Sequence, residues 1–273
     1  MAISMLFKCI RFSRRSIFQG KTQERLRRAI VSSSNSDSEN ERNEKDHSSK
    51  VDATDVKKKI LEASLPYVCV HGWTKAAISA GAESIGYPGV AHGLFPAGGV
   101  ELVNFFYTSC NHDLAERLKQ EVEEAREDLS KRKKPSKFSR DAVEIRLRMI
   151  IPYIKHWPQA IAIMTLPQNV PVSLANLLTL VDDICHYAGD NAVDFSWYTK
   201  RIALAGVYKA TELSLIQDSS EDYEATWNFL DRRIEDVTQL QSYLKKSGDF
   251  GSMAQETAMA TFITARNILG LNR

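Results

Sequence analysis

The segment Asp182-Asp183-Ile184-Cys185-His186 places carboxylates and a histidine within one helical turn of each other. Side chains three and four residues apart share a helix face, which is the spacing of a metal-binding or proton-transfer pair. A di-iron centre in a helical bundle needs two Glu-x-x-His motifs and two further carboxylates, and the sequence has no second motif. GxSxG and HExxH motifs are also missing. We therefore interpret the segment as a polar helix face with Cys185 in the core, and predict no catalytic residue, metal site or cofactor.

A second cluster, Trp197, Tyr198 and Arg201, is suited to binding rather than to catalysis. Residues 197 and 201 are one turn apart, so an indole and a guanidinium share a helix face. Trp, Tyr and Arg dominate protein–protein hot spots because they combine contact area with a polar group. The alternative is an aromatic side chain packed in the core beside a capping arginine. The spacing alone leaves both interpretations open.

Two predicted helices carry apolar stripes. The stripes contain Leu174, Leu177, Leu178 and Val181 on one helix and Leu204 and Tyr208 on the next. By periodicity alone both stripes are ordinary core. The stretch from Ile202 to Tyr208 is apolar on all sides, which predicts a central, buried helix. Glu212, further along this helix, could pair with a cation in the interior or face solvent, and the second arrangement is the commoner one for a carboxylate.

Helical periodicity dominates the chain from residue 51 onward and predicts an all-α fold. NG or DG turns and sustained apolar–polar alternation, the signals of strands, are lacking. Pro66 is expected to kink or shorten the first helix, and Gly72 to end it. The predicted helices are a first helix capped by Asp52, Thr74–Ser84, a very short helix before Phe95, a long helix from Gly99 to the basic run at Lys131, and then Ser139–Trp157, Pro158–Leu166, Val172–Tyr187, Ser196–Ile216, Asp222–Lys246 and Ser252–Leu269.

Charge and composition divide the chain into three parts. Residues 1–31 carry eight cations and one acidic side chain, a net charge of +7, which is typical of a mitochondrial presequence. Residues 32–50 contain seven serines and no aliphatic or aromatic residue, which predicts a disordered linker. A folded domain is predicted over residues 51–273. The sequence lacks both a bilayer-spanning run of about 18 apolar residues and the CxxC pairs of zinc sites.

Part of this domain resembles the N-terminal region of TetR-type DNA-binding regulators. The resemblance covers about 45 residues, including His71-Gly72-Trp73-Thr74, Ala80-Gly81-Ala82, Leu94-Phe95-Pro96 and Glu101-Leu102. Binding to a DNA duplex depends on Lys and Arg at the phosphates, yet neither residue type occurs between Ala76 and Glu116. A TetR-like DNA-binding regulator is therefore the disfavoured alternative, and we predict no nucleic-acid binding.

A closer resemblance extends over the whole domain, from about Ile60 to Asn272. It rests on His71-Gly72-Trp73-Thr74, Cys110-Asn111, Asp194-Phe195-Ser196-Trp197-Tyr198-Thr199-Lys200-Arg201, Gln217-Asp218-Ser219-Ser220, Thr226-Trp227-Asn228-Phe229-Leu230 and Leu269-Gly270-Leu271-Asn272. These motifs resemble the mitochondrial accessory lipid-binding family of ubiquinone biosynthesis. The resemblance implies a TetR-like helical bundle, usually a homodimer, without enzymatic activity. It also implies binding of an isoprenoid quinone intermediate or a phospholipid, and presentation of the quinone to a di-iron hydroxylase on the matrix side of the inner membrane.

The same resemblance assigns roles to residues. It implies that Asp194, Trp197, Tyr198 and Arg201 form the docking face for the hydroxylase, and that the two apolar stripes line a lipid cavity. It implies that the last helix, residues 252–270, engages the membrane through Phe262 and Leu269. The basic run from Lys131 to Arg140 would add attraction to anionic headgroups, at roughly 1 kcal/mol per cation near the surface. An enzyme acting on the lipid itself is a further alternative, for which the sequence offers no catalytic cluster.

Overall fold

The computed structural model describes residues 54–189 and 195–246 of the 273-residue chain; the side chains of Leu129, residues 195–198 and residues 240–246 lie outside the description. The chain separates into two compact units, Met1–Thr54 and Asp55–Arg273, and nearly all described residues belong to the second. Every regular element within the two described ranges is helical, which confirms the predicted all-α class. The more specific expectation, that the helices form a TetR-like bundle, remains a prediction.

The helices are numbered in chain order. They are α1 (residues 54–64), α2 (Val68–His71), α3 (Lys75–Ser84), α4 (Gly99–Glu127), α5 (Pro135–Arg148), α6 (Trp157–Met164), α7 (Val170–Tyr187), α8 (Phe195–Gln217) and α9 (Glu224–Lys246). Short 3-10 segments lie between them at Leu65–Tyr67, Gly89–Leu94, Leu129–Lys131, Ile151–His156 and Glu221–Tyr223.

Two helix breaks predicted from single residues are confirmed near the start of the bundle. Pro66 lies in the 3-10 segment after α1, because proline lacks the amide hydrogen that would continue an α-helix. Gly72 ends α2 at φ 64°, a left-handed conformation that favours glycine. The next amide, on Trp73, donates to Oε1 of Gln159 at 2.9 Å, which ties this turn to α6.

The predicted helix Ser139–Trp157 is wrong, because the structure divides this segment. α5 ends at Arg148, a 3-10 segment covers Ile151–His156, and α6 begins at Trp157. Pro152 explains the break, since proline has no amide hydrogen and disfavours the α conformation in the residue before it. Pro152 and Pro158 both stand in the first turn of the segments that contain them, where a missing donor costs little.

α4 forms the centre of the bundle and packs against α5, α6 and α7. Its buried stripe includes Phe106, which joins Trp73, Tyr153 and Trp157 in a cluster with ring centroids 5.1–5.8 Å apart. Such aromatic pairs contribute about 0.5–1.5 kcal/mol each beyond the burial of their surface. α8 packs against α7 and α9, and α9 packs against α5, so the later helices close around the same core.

α8 is not buried on all sides, and this part of the prediction is wrong. Leu204 and Tyr208 are buried, whereas Ile202 is 45% and Leu213 51% exposed. The reason is that the neighbours of α8 within the described residues, chiefly α7 and α9, leave part of its surface uncovered. Periodicity cannot tell how many sides of a helix will find a neighbour. Single exposed apolar residues are tolerated at a protein surface, so the fold accommodates this arrangement.

Candidate functional site

A buried arginine organises the centre of the bundle. Arg146 on α5 is fully enclosed, and its Nε donates to Oδ1 of Asn111 on α4 at 3.0 Å. Its Nη2 donates to the backbone oxygen of Tyr107 at 3.5 Å, and its guanidinium carbon lies 4.6 Å from the centroid of that ring. Asn111 in turn donates through Nδ2 to the backbone oxygen of Asn176 on α7 at 3.0 Å. One cation thus connects three helices in a place where burying charge is costly.

Glu212 lies in the interior, so its carboxylate takes the less common of the two arrangements predicted for it, paired with a cation inside the fold. The side chain of Glu212 is 1% exposed and accepts hydrogen bonds from Nε1 of Trp157 at 3.1 Å and from Nζ of Lys209 at 2.8 Å. Lys209 is three residues earlier on the same helix, so a carboxylate–lysine pair was readable from the sequence. The hydrogen bond from Trp157 on α6 could not be predicted from the sequence, because Trp157 is 55 residues away from Glu212.

Two phenols complete the cluster. The Nζ of Lys209 lies 5.8 Å from the ring centroid of Tyr107 and 5.6 Å from that of Tyr208, so the two rings share one neighbour. Burial raises the pKa of Tyr107, and raises that of Tyr208 more strongly, so both phenols are neutral at physiological pH. Each phenol influences the pKa of the other, although neither oxygen makes a hydrogen bond of normal geometry.

Arg146, Asn111, Tyr107, Tyr208 and Glu212 are named the polar cluster below. Of these, only Tyr208 was among the residues predicted to bind lipid. The arginine carried a readable signal, since Arg146 lies on the same face of α5 as the buried residues Ala142 and Val143 and beside buried Leu147. A cation on an apolar stripe indicates a buried partner or ligand.

Five of the six residues predicted to line a lipid cavity lie wholly or partly in the interior. Leu177, Val181, Leu204 and Tyr208 are buried and Leu174 is half-buried. Leu178 is 42% exposed, so its predicted place on the interior stripe is wrong; Leu180 is buried on that helix instead. Each residue turns the helix by about 100°, so Leu178 lies about 40° around the helix axis from Leu174 and falls outside the narrow face that contacts the interior. A surface depression of about 480 Å³ lies elsewhere, between Lys59, Glu62, Ala63, Ile85 and Tyr87.

Arg201 is not an exposed docking group. It is 7% exposed, and its Nε donates to Oδ1 of Asp182 on α7 at 2.7 Å. This pair joins the two segments that first suggested chemistry, and it favours the interpretation of Arg201 as a structural residue. Asp194 lies outside the described residues, as do the side chains of Trp197 and Tyr198. Cys185 is buried, as predicted.

Half of the cations in the basic run from Lys131 to Arg140 are engaged in ion pairs. Lys133 contacts Glu121 at 2.9 Å and Asp141 at 2.7 Å, and Arg140 pairs with Glu144 and Asp231. These contacts hold α5 against α4 and α9 and reduce the charge offered to an anionic surface. Lys131 also contacts Glu124, at 3.3 Å. The exposed cations that make no ion pair within the described part of this run are Arg132, Lys134 and Lys137.

The segment that resembles a DNA-reading motif forms α3 and the 3-10 segment Gly89–Leu94. Val90 is exposed at its surface and Leu94 partly so, while His92 is held by the backbone oxygen of Gly89 at 2.8 Å. Val90 and Leu94 thus present apolar groups where phosphate contacts would require cations, while two lysines beside this segment, Lys57 and Lys59, stand on α1.

Within residues 54–189 and 195–246, no three His, Cys, Asp or Glu side chains come together in a way that could hold a metal ion. Among the helices of the same ranges, none combines the length and apolar character needed to cross a membrane. Phe262 and Leu269, in the predicted membrane helix 252–270, lie outside the described residues.

Comparison with known proteins decides the family. Residues 170–241 match the family model described as COQ9, and residues 54–83 match the one described as "Ubiquinone biosynthesis protein COQ9, N-terminal domain". A Drosophila melanogaster protein named "Ubiquinone biosynthesis protein COQ9, mitochondrial" is 47% identical over 222 residues, which cover 81% of this chain and 67% of that protein. The chain belongs to the COQ9 family.

Two further COQ9 proteins show the same extent of similarity. The Rattus norvegicus protein is 45% identical over 80% of this chain and 70% of its own length, and the Homo sapiens protein 44% identical over 79% and 68%. Both carry the name given to the Drosophila protein. The COQ9 match from 170 to 241 contains Tyr208 and Glu212 of the polar cluster, whereas Tyr107 and Arg146 lie outside both family models.

Proposed function

We propose that this chain is a non-enzymatic, lipid-binding accessory protein of ubiquinone biosynthesis in mitochondria. It presents a quinone intermediate to the di-iron hydroxylase that modifies the quinone ring. The observation that carries the proposal is identity of 44–47% to proteins named for ubiquinone biosynthesis over about four fifths of the chain. The names of these relatives include the mitochondrion, and the +7 charge of residues 1–31 supports import independently.

The proposed ligand is an isoprenoid quinone intermediate or a phospholipid held between α7 and α8. Leu177 and Val181 on α7 and Leu204 on α8 turn inward, and the two helices pack on each other. Each fully buried side chain of this size contributes about 1.5–3 kcal/mol of apolar stabilisation. An isoprenoid tail that takes the place of such contacts is therefore retained without covalent attachment.

The proposed membrane and partner surfaces extend beyond the described residues. Phe262 and Leu269 on helix 252–270 place the protein on the matrix face of the inner membrane as a peripheral protein. Trp197 and Tyr198, with Asp194, form the docking face, and Arg201 supports that face through Asp182 instead of contacting the hydroxylase. The exposed apolar side of α8, with Leu213, supports a homodimer, since a second copy would cover it.

Native mass spectrometry of the purified chain, followed by extraction of bound lipid, tests the lipid-binding part of the proposal. We expect the wild-type chain to carry an isoprenoid or acyl lipid. Leu204→Asp should reduce the bound fraction at least tenfold, whereas Ile202→Asp, on the exposed side of the same helix, should leave it unchanged. A wild-type chain that carries no lipid from any source would contradict the proposal.

The biosynthetic part is tested in cells that lack their own relative. Expression of this chain should restore ubiquinone and remove the accumulated precursor that lacks the ring hydroxyl group. Normal ubiquinone synthesis without the chain, or a persistent precursor in its presence, would refute the assigned role. A Trp197→Ala variant that folds normally should leave the precursor in place, because the hydroxylase would no longer be recruited.

A further inference from the structure

The polar cluster contains more hydrogen-bond donors than the fold satisfies. Nη1 of Arg146 and the hydroxyl groups of Tyr107 and Tyr208 are buried and make no hydrogen bond within the described residues. A guanidinium nitrogen can only donate, and a neutral phenol donates its single hydrogen. Buried donors normally have a hydrogen-bond partner, so unpaired donors gathered in one place indicate a missing acceptor.

Within the described residues, the side-chain acceptors beside the cluster are already engaged, apart from the two phenol oxygens, which interact with each other. Oδ1 of Asn111 already accepts from Nε of Arg146, and the Glu212 carboxylate accepts from Trp157 and Lys209. Arg146 and Glu212 carry opposite charges, and the partly exposed Lys209 lies beside Glu212 as a second cation. A ligand that brings an electron-rich oxygen would accept the hydrogen bonds that the Arg146 guanidinium does not make within the described residues.

The cluster stands at the inner end of the predicted lipid stripe. Tyr208 follows Leu204 by one turn of α8, and Asn111 holds the backbone of Asn176, one residue before Leu177 on α7. An apolar tail lying along Leu204 and Leu177 therefore has its polar end beside Tyr208 and Arg146.

We infer that Arg146, Tyr107 and Tyr208 form an internal site for a hydrogen-bond-accepting oxygen on the head of the bound lipid. The oxygen belongs to the ring carbonyl or phenol of a quinone intermediate, or to the phosphate of a phospholipid. The inference rests on the proposed lipid-binding function and adds to it a position and an orientation for the head. The neutral state of both phenols, which follows from their raised pKa values, keeps their hydrogens available for donation.

The phenols allow a test that leaves the fold intact. Replacing Arg146 would break its bonds to Asn111, whereas Tyr107→Phe and Tyr208→Phe remove hydroxyl groups that have no partner in the protein. Deleting an unpartnered hydroxyl leaves no other group unsatisfied, so the melting temperature of both variants should match or exceed that of the wild type. Tyr153→Phe, in the adjacent aromatic cluster, serves as the matched control.

Binding is measured with the purified full chain and three probes: decylubiquinone, decylbenzene and inorganic phosphate. Binding of the quinone is measured by quenching of tryptophan fluorescence, to which the buried Trp157, in contact with Glu212 of the cluster, contributes. Binding of the other two probes is measured by calorimetry. We expect each Tyr→Phe change in the cluster to lower the affinity for decylubiquinone about fivefold to tenfold, which corresponds to the loss of one net hydrogen bond. Decylbenzene affinity should be unchanged in every variant, and Tyr153→Phe should bind all probes like the wild type.

The outcomes separate this inference from the proposed function. If the wild type binds neither decylubiquinone nor decylbenzene, lipid binding fails and this inference fails with it. If the wild type binds both probes and the cluster variants bind decylubiquinone equally well, only the headgroup site is refuted. A lowered melting temperature with unchanged affinity would likewise refute it, because the donors would then be satisfied by internal water. Phosphate binding that is lost in the cluster variants would assign the acceptor to a phospholipid instead of a quinone.

Discussion

Glu212 is the residue whose role differs most from its expected place in solvent. Its carboxylate satisfies the Trp157 indole and neutralises part of the charge around Arg146. Glu212→Leu should lower the free energy of unfolding by about 2–3 kcal/mol, because it leaves a buried indole N–H unpaired and removes a buried counter-charge. The measurement is urea unfolding followed by fluorescence.

The control for this experiment is Glu116→Leu. Glu116 is an exposed carboxylate on α4, and its replacement should change the free energy of unfolding by no more than about 0.5 kcal/mol. Equal effects of the two substitutions would mean that Glu212 contributes nothing through its buried contacts.

Asp218 makes the stability of the α8–α9 connection dependent on pH. Partial burial would raise the pKa of this carboxyl, but hydrogen bonds from Ser220 and Thr226 outweigh it and hold the pKa at about 2. A depressed pKa in the folded state stabilises the fold above the unfolded value near 3.9, and this stabilisation is lost as the pH falls toward 2. The contribution is below about 2 kcal/mol because the site is partly open to solvent.

We expect the melting temperature of the wild type to fall between pH 4 and pH 2 more steeply than that of Asp218→Asn. The variant should be less stable than the wild type at pH 7, and the difference should shrink toward pH 2, where about half of the wild-type carboxyl groups are protonated. Parallel pH profiles of the two proteins would show that Asp218 does not titrate with folding. Differential scanning calorimetry across this pH range gives the comparison.

The sequence was sufficient to predict whether some of these side chains are buried, but not others. Cys185 was correctly placed in the core, because apolar periodicity reports burial. Glu212 and Arg201 were misplaced, since their partners Trp157 and Asp182 stand 55 and 19 residues away. Periodicity identifies the inner face of a helix but not the polar groups on a neighbouring helix that allow a charge to be buried there.

The pair between α7 and α8 permits a prediction about these two helices. Arg201→Glu places two carboxylates beside each other at Asp182, and should lower both stability and capture of the hydroxylase. Adding Asp182→Arg restores an ion pair with the charges exchanged, and should recover most of both losses. Thermal unfolding and a pull-down with the hydroxylase, measured on the same preparations, provide the two readouts.

A double variant that regains its melting temperature but captures no hydroxylase would mean that Arg201 contacts the partner directly.

Trp197→Ala is the comparison for the docking face. If Trp197 is a hot spot, its truncation should cost about 2–4 kcal/mol of binding and leave the melting temperature close to normal. If it is core, the same change should cost about 3–5 kcal/mol of stability instead.

Helix boundaries set by a glycine followed the sequence, whereas one set by a proline did not. Gly72 and the start of α4 at Gly99 were predicted correctly, because left-handed backbone and loss of a side chain act locally. The division between α5 and α6 was missed although Pro152 was visible, since a proline can stand within the first turn of a helix or end one. The exposed side of α8 could not be predicted, because it depends on which neighbours the helix meets.

For the whole protein, we expect membrane attachment to depend on the segment after α9. Deletion of residues 252–273 should release the chain from cardiolipin-containing liposomes, because Phe262 and Leu269 would no longer be inserted. Replacing Arg132, Lys134 and Lys137 together by serine should weaken binding by up to roughly 1 kcal/mol per cation. Lys133→Gln should not, because Lys133 is paired with Glu121 and Asp141. Unchanged flotation of the deletion variant would place the segment elsewhere.

The N-terminal segment gives a prediction that requires no folded domain. Residues 1–50 fused to a fluorescent protein should direct it to mitochondria, because eight cations and one acidic residue within 31 positions respond to the membrane potential. Serine replacement of Arg11, Arg14, Arg15, Arg25, Arg27 and Arg28 should leave the reporter in the cytosol. A wild-type fusion that stays cytosolic would contradict the assignment.

The contacts around α2 also determine the order in which segments of the domain can pack as the chain is synthesised. Trp73 bonds to Gln159, and the backbone oxygen of Cys69 accepts from His156, across 86 and 87 residues of chain. A ribosome or a translocase delivers the N-terminus first, at about 5–20 residues per second during synthesis, so α2 waits roughly 4–17 s for these partners. Until then Trp73 can pack against Phe106 of α4 but not against Tyr153 or Trp157, so its aromatic cluster is completed only after α6 has been delivered.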